Sequence, residues 1–507
     1  MSIEEHTQHL DKLGGFDRRL LAPMVLGCVL NPINSSIIAV ALVPIAIAFG
    51  APAAQTMWLV STLYIATSIG QPLMGRFIDL FGARRLYLIG TALTGVAGVL
   101  GLVAPSLHLL IVARVILGFG TCAGYPASMY LIRAESKRTN VKSPAAVLTT
   151  LAVANQTVMV IGPALGGFLI TWGGWRATFA VNIPLSLACV ILGWIVLPRH
   201  TLLDAECRAE TSTRVDPVGI LLFAATLVAL LVFLMDVHIR NLWLLGLGLV
   251  CGAAFVWWEL TVSNPSHWFT RAHERRSQSQ SRPAPSPVQP FIDLRVFAGN
   301  VPLVTTYVRA MLNSTVSYSF MYGFTQWMED GRGLSPSHAG MLLLPCFGMG
   351  ILVSILTGRD ARVRAKLVAG AFFQAAACAL IFLVTDTSSI GFLLSVSVLM
   401  GIPQGLNSLG LQNSVYHQAD PARIGASSGL LRTFLYLGAI IASATSGIFF
   451  PIRATTQGMH GLAIVAFTCA VLFLIITVID RSLIKVDQAV RKSGVQDSDP
   501  VHNNARP

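Results

Sequence analysis

Long apolar runs separated by short polar joints recur along all 507 residues. A helix needs roughly 20 consecutive apolar residues to cross the ~30 Å hydrocarbon core of a bilayer. Runs of that length predict fourteen helices, at approximately 20–47, 56–76, 85–104, 107–131, 147–171, 178–198, 217–236, 241–261, 301–326, 337–357, 366–385, 389–414, 425–450 and 461–482. These are numbered spans 1 to 14 below. The joints are short except for 262–300, where "RRSQSQSRPAPSPVQP" reads as a Pro/Ser-rich tether that cannot build a core. The predicted fold class is an all-α polytopic membrane protein.

Composition agrees with the pattern. The chain is 54% hydrophobic and 11% charged, against about a quarter charged in soluble proteins. A net charge of +12 would suit a nucleic-acid binder. The basic residues, however, sit in the joints, and no stretch is long enough for a soluble binding domain, so no nucleic-acid partner is expected. Lys and Arg concentrate on the cytoplasmic side of membrane proteins. With the N-terminus inside, 28 of the 35 fall in inside segments, four (Arg176, Arg240, Arg332, Arg453) in outside joints and three (Arg114, Arg309, Arg432) within spans. Both termini are therefore expected in the cytoplasm, and the location is a plasma membrane, the inner one in a bacterium. Residues 1–19 are polar and the next run is long enough to span and remain, so no cleaved signal peptide is expected. Seven of eight cysteines lie in or at the ends of spans, leaving Cys207 alone in a joint. That excludes a disulfide framework and any metal-ligand spacing, and neither metal nor cofactor is expected. Trp58, Trp172, Trp175, Trp257, Trp258 and Trp327 fall near span ends, where interfacial anchors belong.

Several motifs carry chemistry. Between spans 2 and 3, "GRFIDLFGARR" places Gly75, Asp79, Gly82, Arg84 and Arg85 in one cytoplasmic joint. The glycines allow a tight turn, Asp79 precedes a helix start that favours an anion, and the acid and arginines can latch neighbouring helices. This stretch resembles the loop 2–3 signature of the major facilitator superfamily. Span 4 has Arg114 followed by Gly118, Gly120 and Gly124, similar to that family's span 4 motif, with Leu117 where a Gln is usual. Span 5 holds "GPALGGFL" (Gly162, Pro163, Gly166, Gly167), which resembles the antiporter motif. "WRATFAVNIP" (175–184), "FIDLRVF" (291–297) and "GLSPSHAGMLLLP" (333–345) look like the fourteen-span drug:proton antiporter branch. In plain physical terms, Pro163 removes a backbone bond and the glycines remove side chains, which permits bending and close packing.

The resemblance implies a cytoplasmic N-tail (1–19), a six-helix bundle (20–198), inserted helices 7 and 8 (217–261), a cytoplasmic loop (262–300), a second six-helix bundle (301–482) and a cytoplasmic tail (483–507). Such folds alternate access around a midplane site. The joint "GRDARVRAK" (358–366) is a degenerate counterpart of the loop between spans 2 and 3. Polar residues within the bilayer are costly and tend to face the interior or a pathway. Asn31, Asn34 and Ser35 share a helical face in span 1. Arg309 and Asn313 share one in span 9, with Tyr318 and Tyr322 on a neighbouring face. Asn155 and Gln156 add amides in span 5, Gln404 and Gln412 line up in span 12, and Arg432 precedes Tyr436 by one turn in span 13. Together they predict a polar substrate cavity; each amide alone reads equally as an interhelical bond worth about 1 kcal/mol.

All 23 carboxylates lie in tails, joints or at span ends. The fourteen-span branch usually carries an Asp in span 1, and "INSSIIAVALV" places Asn34 there. An amide cannot cycle a proton. Coupling by the common route is thus in doubt, and arginines without acids to balance them predict a neutral to positive cavity suited to neutral or anionic amphipathic compounds. The expectation is a secondary transporter exporting a small amphipathic molecule, in the manner of multidrug exporters, with protons as coupling ion. Two alternatives stand beside it: an exporter or facilitator of a neutral or anionic metabolite without span 1 coupling, and a non-transporting sensor or scaffold. No metalloprotease motif, nucleophile elbow or phosphate loop is present, so no enzyme is expected. The lipid bilayer and a small-molecule substrate are the implied partners; protein partners are left open.

Overall fold

The computed structural model describes residues 17–139, 145–198, 216–235, 241–262, 291, 294, 300–357, 362–419 and 424–484. The tether around 262–300 and both tails lie essentially outside them. Among the described residues the chain is helical, with no strand, and it forms two compact units: 1–51 with 55–295, and 52–54 with 296–507.

The first unit begins at Leu21–Ile37 (α1), which continues through a tight turn at Ile38–Val40 into Leu42–Phe49 (α2). Then come Trp58–Phe81 (α3), Ala83–Val103 (α4), Leu107–Thr121 (α5), Gly124–Thr139 (α6), Ala145–Ala180 (α7) and Asn182–Val196 (α8). Pro217–Met235 (α9) and Leu242–Val262 (α10) pack against each other and belong to this unit. Local sequence explains the breaks. Gly82 alone separates α3 from α4 at φ 87° and ψ 147°, a conformation that L side chains avoid. Gly174 at φ 69° turns α7 sharply just after Trp172. Ser106 caps α5 by accepting a hydrogen bond from the Leu109 N–H at 3.4 Å.

The second unit holds Val301–Tyr318 (α11), a wide π-helical turn at Ser319–Phe324, Thr325–Asp330 (α12), Pro336–Thr357 (α13), Val363–Ile381 (α14), Ile390–Gln418 (α15), Ile424–Phe449 (α16) and Thr456–Ile479 (α17). Helix pairing repeats between the units. In the first, α1 packs on α7, α4 on α5 and α8, and α3 on α5; in the second, α11 packs on α16, α14 on α15 and α17, and α13 on α15. The order of the partners along the chain is the same, so the internal repeat faintly visible in the sequence is explicit in the packing.

Helices occupy each predicted range, with ends shifted by a few residues. By length and apolarity, ten of the described helices can cross a membrane, or eleven if the pair Leu42–Phe49 and Ala53–Gln71, bent by 118°, counts as one. The Asn182–Val196 helix is too short to qualify, because predicted span 6 is divided between the end of α7 at Ala180 and α8. Large apolar side chains point outward, among them Trp172 (80% exposed), Leu221 (70%) and Ile355 (71%). A surface of this kind belongs in lipid. Trp327 departs from its expected role as an interfacial anchor: it is fully buried, and its indole N–H donates to Thr456 Oγ1 at 2.8 Å.

Candidate functional site

The span 1 polar group is split between partners. Asn34 is 4% exposed, and its Nδ2 donates to Asn182 Oδ1 at 2.6 Å and to the Leu30 carbonyl at 2.8 Å. Asn182 Nδ2 returns a bond to Asn34 Oδ1 at 2.8 Å. The result is a closed amide pair between α1 and α8. Asn31 instead reaches α5, donating to Thr121 Oγ1 at 3.1 Å, and Ser35 donates back to the Asn31 carbonyl at 2.9 Å. The shared face expected of Asn31, Asn34 and Ser35 is therefore divided.

Arg114, 2% exposed on α5, donates through Nε to the Leu59 carbonyl at 2.8 Å and through Nη1 to the Asn34 carbonyl at 3.4 Å. One guanidinium thus ties α5 to α3 and to α1 beside the amide pair. The forked guanidinium has the donors to bond two backbone carbonyls on different helices at once. Gly118 and Gly120 let α5 approach its neighbours: a Cβ at Gly118 would lie 2.8 Å from the Leu63 carbonyl, and one at Gly120 would lie 2.8 Å from the Gly90 carbonyl. Gly162 and Gly166 on α7 do the same against Ser36, Ile37 and Val40. Pro163, Gly162, Gly166 and Gly167 are all buried. The sequence stretch that holds Asn34 is thus the surface on which the Gly-rich helix lies.

In the joint between α3 and α4, Arg84 donates to the Trp194 carbonyl at 2.6 Å and stacks 5.3 Å over that indole, so it binds α8. Arg85 is exposed. Gly75, Asp79 and Gln156 lie on helices whose backbone is described, but their side chains fall outside the described residues. Asn155 is half-buried on α7, and its Oδ1 has no protein partner.

In the second unit one expectation is corrected. Arg309, fully buried on α11, is not a cation without an acid: Nη2 pairs with Asp480 Oδ2, and Nη1 donates to Thr306 Oγ1 at 3.2 Å. Asp480 stands 171 residues away, just past α17. A buried guanidinium demands a counter-charge, and the fold brings the ends of α11 and α17 together to supply it. Asn313 turns elsewhere. Its Oδ1 accepts from Asn407 Nδ2 at 2.8 Å, that Nδ2 also bonds Gln374 Oε1 at 3.0 Å, and the Asn313 carbonyl accepts from Gln374 at 3.4 Å. This amide trio links α11, α15 and α14. Tyr318 and Tyr322 stack with centroids 5.7 Å apart across the π-helical turn. Gln404 is half-buried, while Gln412 is exposed and donates to Ser408 at 3.4 Å.

Sequence reasoning missed Asn182, Gln374, Asn407 and Asp480 as site members. The signal for Gln374 and Asn407 was available, since each is an amide inside an apolar helix. The amide pair also gives a prediction. Asn34→Asp replaces a donor by an acceptor, which unmakes the bonds to Asn182 Oδ1 and the Leu30 carbonyl. A stability loss of about 1–3 kcal/mol is expected for the ionised variant, measured by denaturant titration in micelles. An unchanged midpoint would mean that the pair carries no energy.

Two helical units with matching internal pairing, polar clusters within each and apolar side chains turned outward define a multi-pass membrane protein of the repeat-built transporter class. The description of the Major Facilitator Superfamily matches residues 24–443. The chain belongs to the Major Facilitator Superfamily. Among curated proteins it is 31% identical over 472 residues to the uncharacterized MFS-type transporter YwoD of Bacillus subtilis, covering 92% of this chain and 97% of that one. It is 26% identical over 437 residues to the multidrug efflux pump LfrA of Mycolicibacterium smegmatis (85% and 80% covered), and 27% identical over 421 residues to the lincomycin resistance protein of Streptomyces lincolnensis (80% and 79%). A solved structure of a mutant nucleoside transporter, NupG, shares the fold with a TM-score of 0.60 at 10% identity, over 90% of this chain and 100% of that one.

Proposed function

We propose that this protein is an exporter of the fourteen-span type that moves small amphipathic compounds out of the cell by alternating access in exchange for protons, and that it is not an enzyme. In this reading residues 20–198 and 301–482 are the two six-helix bundles, 217–261 the inserted pair, and both termini lie in the cytoplasm of a cell bounded by this (in bacteria, inner) membrane. The observation that carries it is the placement of Arg114. It is buried and bonded to the backbone of both Asn34 and Leu59, so movement of α1 or α3 against α5 must break or remake the corresponding bond. Relatives named as a multidrug efflux pump and a lincomycin resistance protein support the direction and the breadth of substrate. The cavity residues proposed are Asn31, Ser35, Asn155, Asn313, Tyr318, Tyr322, Gln404 and Gln412, with Asp79 and its arginines as the latch. Because Asp480 neutralises Arg309, neutral amphipathic compounds fit better than anions.

The test uses everted membrane vesicles energised with lactate. Addition of lincomycin, tetracenomycin C or ethidium should partly collapse the pH gradient for those compounds that are exported, by severalfold over vesicles lacking the protein. Transport that persists undiminished after nigericin abolishes the gradient would rule out antiport and favour the facilitator reading, which the closed Asn34–Asn182 pair otherwise supports.

A further inference from the structure

Glu329 is a buried carboxyl that the transport reading leaves without a task. It sits in α12, three residues beyond predicted span 9 and directly after the π-helical turn Ser319–Phe324. Such turns break the regular hydrogen-bond ladder and occur often at functional positions. Glu329 is 7% exposed, and among the described residues neither of its oxygens has a hydrogen-bond partner. Gln326, one turn earlier and 1% exposed, has an amide oxygen equally without a partner. An ionised carboxylate cannot be held in such a place without donors, whereas the neutral acid can. A protonated Glu329 would also offer a donor beside an amide oxygen that has none.

The charged groups of the surrounding elements are engaged elsewhere. Asp330 accepts from the Ala454 N–H at 3.1 Å and from Arg453 at 3.4 Å. Arg332 donates to the carbonyls of Asp386 and Ser388, and Asp386 accepts from Thr456. His338 at the start of α13 meets Ser335 at 2.7 Å, and His460 on α17 meets the Val384 carbonyl at 2.9 Å. Arg432 and Tyr436 of α16 bond to neither Glu329 oxygen. Burial first, and the Asp330 charge second, hold the Glu329 carboxyl well above the usual carboxylate range. Glu329 is thus held as the neutral acid.

We propose that Glu329 is the carboxyl that loads the driving proton from the outer face, in a chain whose span 1 carries Asn34 instead of an acid. The assignment rests on the proton-linked export reading and its orientation. The O–H bond forms when this end of the helix is wetted, the proton coming from outside water, and the neutral acid is what the buried state accepts. In exchange, that bond breaks with release of the proton toward cytoplasmic water, which leaves a carboxylate that is stable only while hydrated.

Glu329→Gln keeps size and removes the titration. In proteoliposomes holding the full chain, with ethidium and lincomycin as probes, accumulation driven by an imposed pH gradient should fall at least tenfold in E329Q, while downhill exchange without a gradient stays within twofold of wild type. Glu329→Asp should recover part of the driven activity. If wild type is gradient-driven and E329Q equally so, the assignment falls and the export reading stands. If wild type ignores the gradient, the proton-linked reading falls and the assignment with it. Loss of both activities in E329Q with no rescue by Glu329→Asp would reveal a structural role and overturn the proposal.

Discussion

Asp480→Ala should cost about 3 kcal/mol of stability, the lower end of what removal of one partner from a buried ion pair costs. Arg309 is fully buried, whereas the Asp480 side chain is 13% exposed, so some water can reach the site and soften the loss. The damage comes from the charge left behind. Without Asp480, Arg309 keeps its bond to Thr306, and among the described residues its Nε already has no partner. The neighbours cannot compensate, since Thr306 also donates to Gln418 at 2.7 Å and Gln418 to Ser482 at 3.4 Å. Arg309→Leu combined with Asp480→Leu should recover at least half of the loss, because two matched apolar groups carry no desolvation penalty. Denaturation by SDS in mixed micelles measures all three variants. Equal losses in the single and double variants would show that packing, not charge pairing, holds these helix ends together.

That pair also shows where sequence reading stops. Helix positions were legible because each run must be apolar over its whole length, and hydropathy is a local property. The Gly162–Gly167 cluster was legible for a related reason, since a helix free of side chains on one face must lie close to something. What it lies on was not legible. The partners of Asn34 and Arg309 stand 148 and 171 residues away, and no spacing rule spans that distance. Sequence logic balanced charges within spans and therefore left Arg309 without an acid. The fold balances them between the ends of different helices. Glu329 escaped for the opposite reason: a carboxylate just beyond an apolar run reads as solvated, and only the packing shows it buried. The number of membrane crossings is a middle case. Helices occupy the predicted ranges, yet only ten or eleven of the described ones are long and apolar enough to cross a membrane.

Gly166→Val should leave a folded but nearly inactive protein, with export at least tenfold lower and a stability loss of about 1–3 kcal/mol, the usual cost of overpacking. A Cβ at this position would meet Val40 Cγ2 at 2.7 Å, the Ile37 carbonyl at 2.9 Å and Ile37 Cα at 3.2 Å. Val40 could turn aside, but backbone cannot, so α7 and α1 would have to separate. That separation acts on the segment that bonds Arg114 and Asn182, since Ile37 lies only three residues beyond Asn34. The effect should therefore exceed what lost packing alone would produce. Gly348→Ala in α13 is the matched control: nothing lies within 4 Å of its added Cβ, and alanine favours helix by about 1 kcal/mol over glycine. It should transport normally and resist denaturation slightly better. Should Gly166→Val and Gly348→Ala behave alike, close approach of α7 to α1 would play no part in the transport cycle.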